Sequence, residues 1–228
     1  IQNLEDGLQA AFVDIGLSKN AFLHYWDMFP EDGARLAAEE DGLYRGMSRS
    51  KRVSPQEIAK TYPVGSDIIV QVTKGPISTK GPRVTASLSV PGRYLVMMPG
   101  SSLRGVSRKI EDAKERQRLK QILDRLPSPP GVGLIVRTAG EGARGVSFAR
   151  DMRGLMQIWE QLQAGIRDPR APACLYREPD VVERVVRDWV TEDVDRIVID
   201  SPERWQQVKD LAAQISRRIK SRIQRSEE

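Results

Sequence analysis

Hydrophobic and polar residues alternate in several short stretches of the first 90 residues, which predicts β-strands. The alternation is most regular from Arg83 to Val90, where every second residue is apolar. A period of two is typical of a strand with one buried face. Apolar runs at 8–15 and 21–25 flank a turn at 16–20, and a shorter alternating segment covers 67–72. Short strands of this kind suit a small barrel.

From residue 91 the pattern changes to strands that alternate with helices. Strands are predicted at 94–98, 132–136 and 196–200, and helices are predicted to begin near Asp112, at Ser147, near Asp180 and at Ser201. Apolar residues recur at helical spacing in each helix, so one face of each helix should be buried. These inward-facing residues are Leu119, Ile122, Leu123 and Leu126; Met152, Leu155, Met156, Trp159 and Leu162; Val182, Val185, Val186 and Trp189; and Trp205, Val208, Leu211 and Ile215.

A long charged stretch, residues 30–62, separates the second predicted strand from the third. Its acidic residues come first and its basic residues follow. Ser54 and Pro55 predict a helix start within it, since serine caps a helix N-terminus and proline suits the first helical position. The rest is predicted to be a solvated loop inserted into an OB-type barrel, a fold that accepts such insertions.

The composition is that of a soluble protein rich in charge, and it narrows the classes of function. Of the 228 residues, 39% are apolar and 29% are charged, and a net charge of +5 favours an anionic partner. Cys174 is the only cysteine and His24 the only histidine, which excludes an internal disulfide, a cysteine-rich zinc site and a histidine-based catalytic cluster. No apolar run reaches the roughly 18 residues of a membrane span, so we predict a cytoplasmic protein without a membrane partner.

The chemically most informative segment is Gly133–Gly140. An apolar strand ends there in Arg137 and Thr138, directly before a glycine-containing turn. A guanidinium beside a hydroxyl suits a phosphate group, because arginine can hold two phosphate oxygens at once. The alternative is an arginine that only covers the surface at a strand end, and this octapeptide alone does not separate the two.

Six blocks of sequence, in order, resemble the bacterial ribonuclease E/G endoribonucleases and the RNA-binding barrel embedded in them. The blocks lie at 7–23, 79–85, 91–99, 105–111, 133–140 and 197–202, and include GLQAAFVDIG at 7–16 and GLIVRTAG at 133–140. The resemblance implies an α+β fold in three parts. An OB-type RNA-binding β-barrel at 1–86 would be followed by a mixed α/β 5′-sensor region at 87–182 and a partial RNase H-like α/β element at 183–228.

The resemblance also assigns roles to individual residues. Phe12 and Phe22 coincide with the phenylalanines on which the family stacks RNA bases, whereas the alternation alone would place both in the core. Lys80 coincides with a lysine that contacts RNA in the family. The family's pocket for a 5′-monophosphate corresponds to Gly92, Val96, Arg137 and Thr138.

Two basic segments are interpreted from their positions. Arg108 and Lys109 lie between a glycine-containing turn and a helix. That position suits contact with RNA phosphates, and the alternative is an ordinary surface pair. The tail at 217–225 has five basic residues in nine; it is predicted to be the solvated end of the last helix, and the alternative is contact with RNA.

The resemblance implies the RNA-binding and 5′-monophosphate-sensing portion of an endoribonuclease that hydrolyses single-stranded RNA in ribosomal RNA maturation and messenger RNA turnover. Family members cleave with magnesium held by two aspartates of a later domain, and their homo-oligomers share zinc through cysteines. Asp14 and Asp200 are isolated carboxylates, so no catalytic residue, metal site or cofactor is predicted within this chain. The chain starts with Ile1, so it is expected to be a piece of a longer enzyme. Because it lacks the catalytic carboxylates, it is expected to be inactive alone. The alternative is a stand-alone, non-catalytic RNA-binding module.

Overall fold

The protein has an α+β fold in the computed structural model, which describes residues 1–29, 54–167, 171–178, 180–190, 194–215 and 217–226. The predicted fold class is therefore confirmed, and most of the predicted charged insertion lies outside the described residues. The strands are Asn3–Glu5 (β1), Ala10–Val13 (β2), Ala21–His24 (β3), Gln71–Lys74 (β4), Arg83–Thr85 (β5), Val90–Pro91 (β6), Leu95–Pro99 (β7), Arg104–Val106 (β8), Val132–Val136 (β9), Ile197–Ile199 (β10) and Ile223–Arg225 (β11). The α-helices are Pro55–Thr61 (α1), Ala113–Arg125 (α2), Gly145–Arg167 (α3), Val181–Trp189 (α4), Pro202–Ile215 (α5) and Arg217–Lys220 (α6).

The first five strands form one sheet in the order β1-β2-β3-β5-β4. β2 and β3 are antiparallel, whereas β3 and β5 are parallel. Within the described residues, no pairing between β1 and β4 closes this sheet. One face of the sheet carries a hydrophobic cluster whose buried members are Ala11, Val13, Ala21, Leu23, Tyr25, Met28, Ile58 and Val84.

α1 begins where the sequence predicts, at the Ser54-Pro55 step. The Ser54 hydroxyl accepts the N–H of Glu57 at 3.2 Å, and the Glu57 carboxylate accepts the N–H of Ser54 at 3.0 Å. The pair satisfies two N–H groups near the helix end, where N–H groups lack helical acceptors, and a cap of this kind stabilises a helix by about 1 kcal/mol. The cap holds α1 so that Ile58 is fully buried in the first cluster.

The turn before β5 lies tightly against the turn before β3. A Cβ atom at Gly81 would lie 2.1 Å from the Asn20 carbonyl oxygen, so this approach requires glycine. The N–H of Phe22 donates a hydrogen bond to the Pro82 carbonyl at 2.8 Å. The two turns therefore occupy the same end of the β3–β5 pair.

A second sheet has the order β6-β7-β9-β8. β7 and β9 pair antiparallel along their full length, and every residue of both strands is buried. α2 and α3 pack against this sheet through the apolar faces that the sequence predicts. The buried helical residues are Leu119 and Leu123 of α2, and Phe148, Met152, Leu155 and Leu162 of α3.

The predicted starts of these two helices have different outcomes. Asp112 caps α2, because its carboxylate accepts the N–H of Glu115 at 2.8 Å. The predicted start of α3 at Ser147 is wrong: the helix begins at Gly145, and Ser147 lies in its first turn. The Ser147 N–H donates to the Arg144 carbonyl at 2.9 Å, so a tight turn over 144–147 forms where the sequence suggested a cap.

The remaining elements form a small third unit with a two-stranded parallel sheet of β10 and β11. The sequence did not predict β11, because the basic tail was interpreted as the end of the last helix. Ile219 and Ile223 are 5% and 6% exposed and belong to the third hydrophobic cluster, and α6 ends at Lys220, three residues before β11 begins. Val185 was expected to point inward, but it is 47% exposed, whereas Val186 is buried.

The three hydrophobic clusters of the described residues lie within 1–84, 90–176 and 182–223. The domain boundaries at 86/87 and 182/183 stay predictions, and α4 runs across the second of them. Cys174 is exposed. Among the described residues, no helix is both long and apolar enough to span a bilayer.

Candidate nucleic-acid interface

Phe12 and Phe22 face away from the core of the first sheet. They are cross-strand partners on β2 and β3, and their rings meet edge to face with centroids 6.0 Å apart. Their chain neighbours Ala11 and Ala21 are fully buried, whereas both phenylalanines are partly exposed. The alternative that places these two rings in the core therefore does not describe the structure.

The two phenylalanines begin a longer series, the aromatic row, formed by Phe12, Phe22, His24 and Trp26. The centroids of Phe22 and His24 lie 6.3 Å apart, and the indole of Trp26 stacks on the imidazole of His24 with centroids 3.2 Å apart. Trp26 is 53% exposed. Sequence analysis missed the last two members. His24 follows Phe22 at the period of two that brings strand side chains to one face, whereas Trp26 lies in the 3-10 turn after β3, where that period does not apply.

Lysines lie near one end of the aromatic row. Lys80 is exposed in the turn before β5, and its main chain pairs with that of Ile77. Lys19, in the turn before β3, donates from Nζ to the Ser78 carbonyl at 3.2 Å. Because Gly81 holds the two turns together, the main chains of Lys19 and Lys80 lie at the same end of β3 as Phe22.

Arg137 leaves β9 with its guanidinium already oriented. Nη1 donates to the Gly92 carbonyl and to Asp188 Oδ1, each at 2.6 Å. Nε and Nη2 make no hydrogen bond to the described residues, and 22% of the side chain is exposed. One edge of the guanidinium is thus held by the protein while the other edge keeps two parallel donors for a ligand.

Thr138 and the basic turn at 108–109 are linked through Ser107. The hydroxyls of Thr138 and Ser107 lie 3.3 Å apart, and the Ser107 N–H donates to the Val136 carbonyl at 2.8 Å. Ser107 is fully buried, whereas Arg108 and Lys109 are exposed. The structure therefore brings the two predicted basic residues to the Thr138 side of the second sheet.

Asp151 of α3 fixes the main chain that supplies the Gly92 carbonyl. Its carboxylate accepts the N–H groups of Arg93, Tyr94 and Leu95 at 2.8–2.9 Å. Burial raises the pKa of Asp151 above its ordinary value, and the three hydrogen bonds oppose that rise. A Cβ atom at Gly92 would lie 2.6 Å from Asp151 Oδ2, so the absence of a side chain at position 92 admits this carboxylate.

Val96 and Arg93 complete the surroundings of Gly92. Val96 is buried on β7 opposite Ile135 of β9. The Arg93 guanidinium is also buried and donates to main-chain carbonyls at the C-terminal end of α4, including that of Arg187 at 2.9 Å. A cation at a helix C-terminus is favourable, and here it holds α4 where Asp188 reaches Arg137.

Asp188 lies between two arginines. It pairs with Arg137 at 2.6 Å and with Arg187 at 3.0 Å, and Arg187 also bonds Glu178 at 3.1 Å. Burial alone would raise the pKa of Asp188, but hydrogen bonds from Arg187 and Arg137 outweigh it and hold the pKa below its ordinary value. Asp188 is therefore an ionised carboxylate that keeps Arg137 in place.

Replacing Asp188 with asparagine should destabilise the fold at neutral pH and much less in acid. A carboxylate with a lowered pKa stabilises the fold above its ordinary pKa, and this contribution is lost as the pH falls through the lowered value. The melting temperature of Asp188→Asn should lie below that of the wild type at a pH of about 7; the difference should begin to shrink below about pH 4 and should vanish only below the lowered pKa of Asp188. A difference independent of pH would contradict an ionic role.

The described residues offer no evident metal site. They contain no group of three or more His, Cys, Asp or Glu side chains placed to hold an ion. Asp14 accepts the N–H of Gly16 at 2.9 Å, and Asp200 accepts that of Ser201 at 2.8 Å, so each carboxylate bonds within its own turn.

Comparison with known proteins adds a family relationship. Residues 89–228 match the sequence model described as "Ribonuclease E/G family". The chain is 40% identical to Ribonuclease G of Escherichia coli K12 over 195 residues, which is 86% of this chain and 38% of that protein. It is 36% identical to Ribonuclease G of Salmonella typhimurium over 96% of this chain and 42% of that protein. It is 38% identical to Ribonuclease E of Nostoc over 92% of this chain and 28% of that protein. The chain thus spans about two fifths or less of these curated relatives.

Proposed function

This chain belongs to the ribonuclease E/G family, and from that premise we propose that it is the RNA-binding and 5′-monophosphate-sensing part of an endoribonuclease for single-stranded RNA. The observation that carries the proposal is the Arg137 guanidinium, whose Nη1 is held by Gly92 and Asp188 while Nε and Nη2 remain available. Such an enzyme would act in the cytoplasm on ribosomal RNA precursors and messenger RNA.

The chemistry at Arg137 supports a terminal phosphate. A 5′-monophosphate is dianionic and offers several oxygens to a planar pair of N–H donors and a nearby hydroxyl. Thr138 supplies the hydroxyl, and Arg108 and Lys109 supply positive charge on the same side. Because Arg137 is oriented before the ligand arrives, binding would cost little conformational entropy at that side chain.

The first sheet supports an OB-type strand-binding surface. Its strand order, with a helix between the third and fourth strands, suits the five-stranded, partly open barrel that binds oligonucleotides. Exposed aromatic rings stack bases without sequence preference, and nearby lysines attract the phosphate backbone. In this proposal Phe12 and Phe22 stack bases and Lys80 attracts the backbone, which is supported by the partly exposed ring pair and the exposed lysine.

The direct test is a competition titration with two RNAs that differ only at the 5′ end. The wild-type chain should prefer the 5′-monophosphate over the 5′-hydroxyl, because only the former offers the dianion to Arg137. A control titration at two salt concentrations should show the steep loss of affinity typical of phosphate contacts. Equal binding of the two ends would refute the sensing role and leave strand binding intact.

Phe22→Ala should weaken binding of 5′-hydroxyl single-stranded RNA by roughly 1–3 kcal/mol, the value of one stacked base. The ring is partly exposed, so the loss of stability should fall well short of the roughly 3–5 kcal/mol expected for a buried phenylalanine. Binding is measured by fluorescence anisotropy, and thermal melting is recorded by circular dichroism. A strongly lowered melting temperature with unchanged affinity would mean that Phe22 is structural.

We further propose that hydrolysis is carried out by the longer parent enzyme, with catalytic magnesium and with zinc shared between subunits of a homo-oligomer. The described residues do not fit either metal, since no donor cluster is present among them and Cys174 is a single thiol. The chain alone should bind a labelled, unstructured RNA in magnesium buffer without cutting it. Cleavage that persists through further purification would contradict this expectation.

A further inference from the structure

The aromatic row is twice as long as the phenylalanine pair to which a role has been assigned. His24 continues the outward face of β3, and Trp26 follows in the next turn. The Trp26 N–H donates to His24 Nδ1 at 3.5 Å, and the two rings are stacked within 19° of parallel. Backbone and ring contacts together hold the indole at the end of the row.

The indole is held without being buried. Its chain neighbours Tyr25 and Asp27 are 4% and 3% exposed, whereas Trp26 is 53% exposed. Tyr25 Oη also donates to Asp6 at 2.8 Å. The neighbours therefore anchor this short turn, and Trp26 presents a large apolar ring to solvent at a fixed position.

We propose that His24 and Trp26 extend the stacking surface of Phe12 and Phe22, so that the row binds several successive bases of one extended RNA strand. This inference rests on the proposed strand-binding function. Its occupant is single-stranded RNA because the row continues the phenylalanine pair and has basic residues on its flanks. Lys19 and Lys80 lie at one end of the row. Arg83 is the partner of Phe22 in the β3–β5 register, and its guanidinium pairs with Asp27 at 3.2 Å.

The charge state of His24 agrees with stacking. Burial and the nearby Arg83 guanidinium both lower the pKa of His24 below 6.5. At neutral pH the imidazole is therefore uncharged, and one of its faces is covered by the Trp26 indole, so that it supports the exposed ring of Trp26 without a charge of its own. A base that stacks on Trp26 would lie on a surface already made rigid by the imidazole beneath it.

The decisive experiment compares Trp26→Ala with the wild-type chain on two 5′-hydroxyl oligouridylates, one of roughly four nucleotides and one of roughly twelve, which span the usual sizes of OB-fold sites. The longer RNA should lose about fivefold to a hundredfold in affinity, the equivalent of one stacked base, whereas the shorter RNA should lose little. Trp26→Phe should restore most of the loss, because it keeps an aromatic face. Val64→Ala, at another exposed apolar position, is the matched control and should bind both RNAs like the wild type.

Phe22→Ala, assayed alongside, separates this inference from the proposed function. If Phe22→Ala lowers the affinity for both RNAs and Trp26→Ala lowers the affinity for neither, strand binding stands. The proposal that His24 and Trp26 extend the stacking surface is then overturned, and the indole faces a protein or solvent. An equal loss for both lengths in Trp26→Ala also overturns it. If neither variant weakens binding, the proposed stacking site itself fails. Quenching of indole fluorescence by RNA in the wild type, absent in Trp26→Phe, gives an independent readout.

Discussion

Replacing Asp151 with alanine should lower the free energy of unfolding by roughly 3–5 kcal/mol, because three partly or fully buried N–H groups lose their acceptor at about 1–3 kcal/mol each. The groups belong to Arg93, Tyr94 and Leu95. Chemical denaturation of the full chain measures the change. Asp151→Asn should be intermediate, since its remaining oxygen can accept from some of the three donors.

Glu160→Ala is the matched control for Asp151, since this exposed carboxylate lies on the same helix and should change stability by no more than about 0.5 kcal/mol. The Asp151 variants should also lose preference for the 5′-monophosphate when they are assayed well below their melting temperatures. Displacement of the 92–95 main chain would move the Gly92 carbonyl that orients Arg137. A change of less than about 1 kcal/mol for Asp151→Ala would mean that water replaces the carboxylate.

Arg137→Lys should reduce the preference for 5′-monophosphate RNA by roughly tenfold to a hundredfold, the equivalent of one charge-assisted hydrogen bond. Lysine keeps the positive charge but cannot bond Gly92 and Asp188 on one edge and a phosphate on the other. Competition between the two RNA ends gives the value directly. Thr138→Val should have a smaller effect, because it removes one hydroxyl at nearly constant shape.

Affinity for 5′-hydroxyl RNA is the internal control for both sensor variants and should not change. If it falls in parallel with the affinity for 5′-monophosphate RNA, Arg137 contributes to general strand binding and not to recognition of the end. If Arg137→Lys retains the full preference, a simple positive charge suffices and the two-donor geometry has no role. Either result would place the recognition of the phosphate elsewhere.

Elements with local signals were predictable from the sequence. The caps at Ser54 and Asp112 and the buried stripes of α2 and α3 depend on residues only a few positions apart. The alternation around Phe12 and Phe22 alone favoured the core for both rings, which is not where the structure has them. The covered face instead carries their neighbours Ala11 and Ala21, which are small enough to pack fully beneath the sheet.

The residues that orient Arg137 had no local signal. Asp151 and Asp188 are single carboxylates within helices; Asp151 bonds Arg93, 58 positions away, and Asp188 bonds Arg137, 51 positions away. A charged residue on a helix is normally taken for a solvated one. β11 escaped prediction for a related reason, since its pairing with β10 is parallel and depends on a contact between distant segments.

The glycine at position 81 has an evolutionary consequence. Because even a methyl group there would collide with the Asn20 carbonyl, a library randomised at this codon and selected for strand binding should return glycine almost alone. The neighbouring codon for Lys80 should accept arginine, since that side chain is exposed and only its main chain is constrained. Selection for strand binding would then keep the phenylalanine pair and the lysine turn together through a glycine whose role is the close approach of two turns.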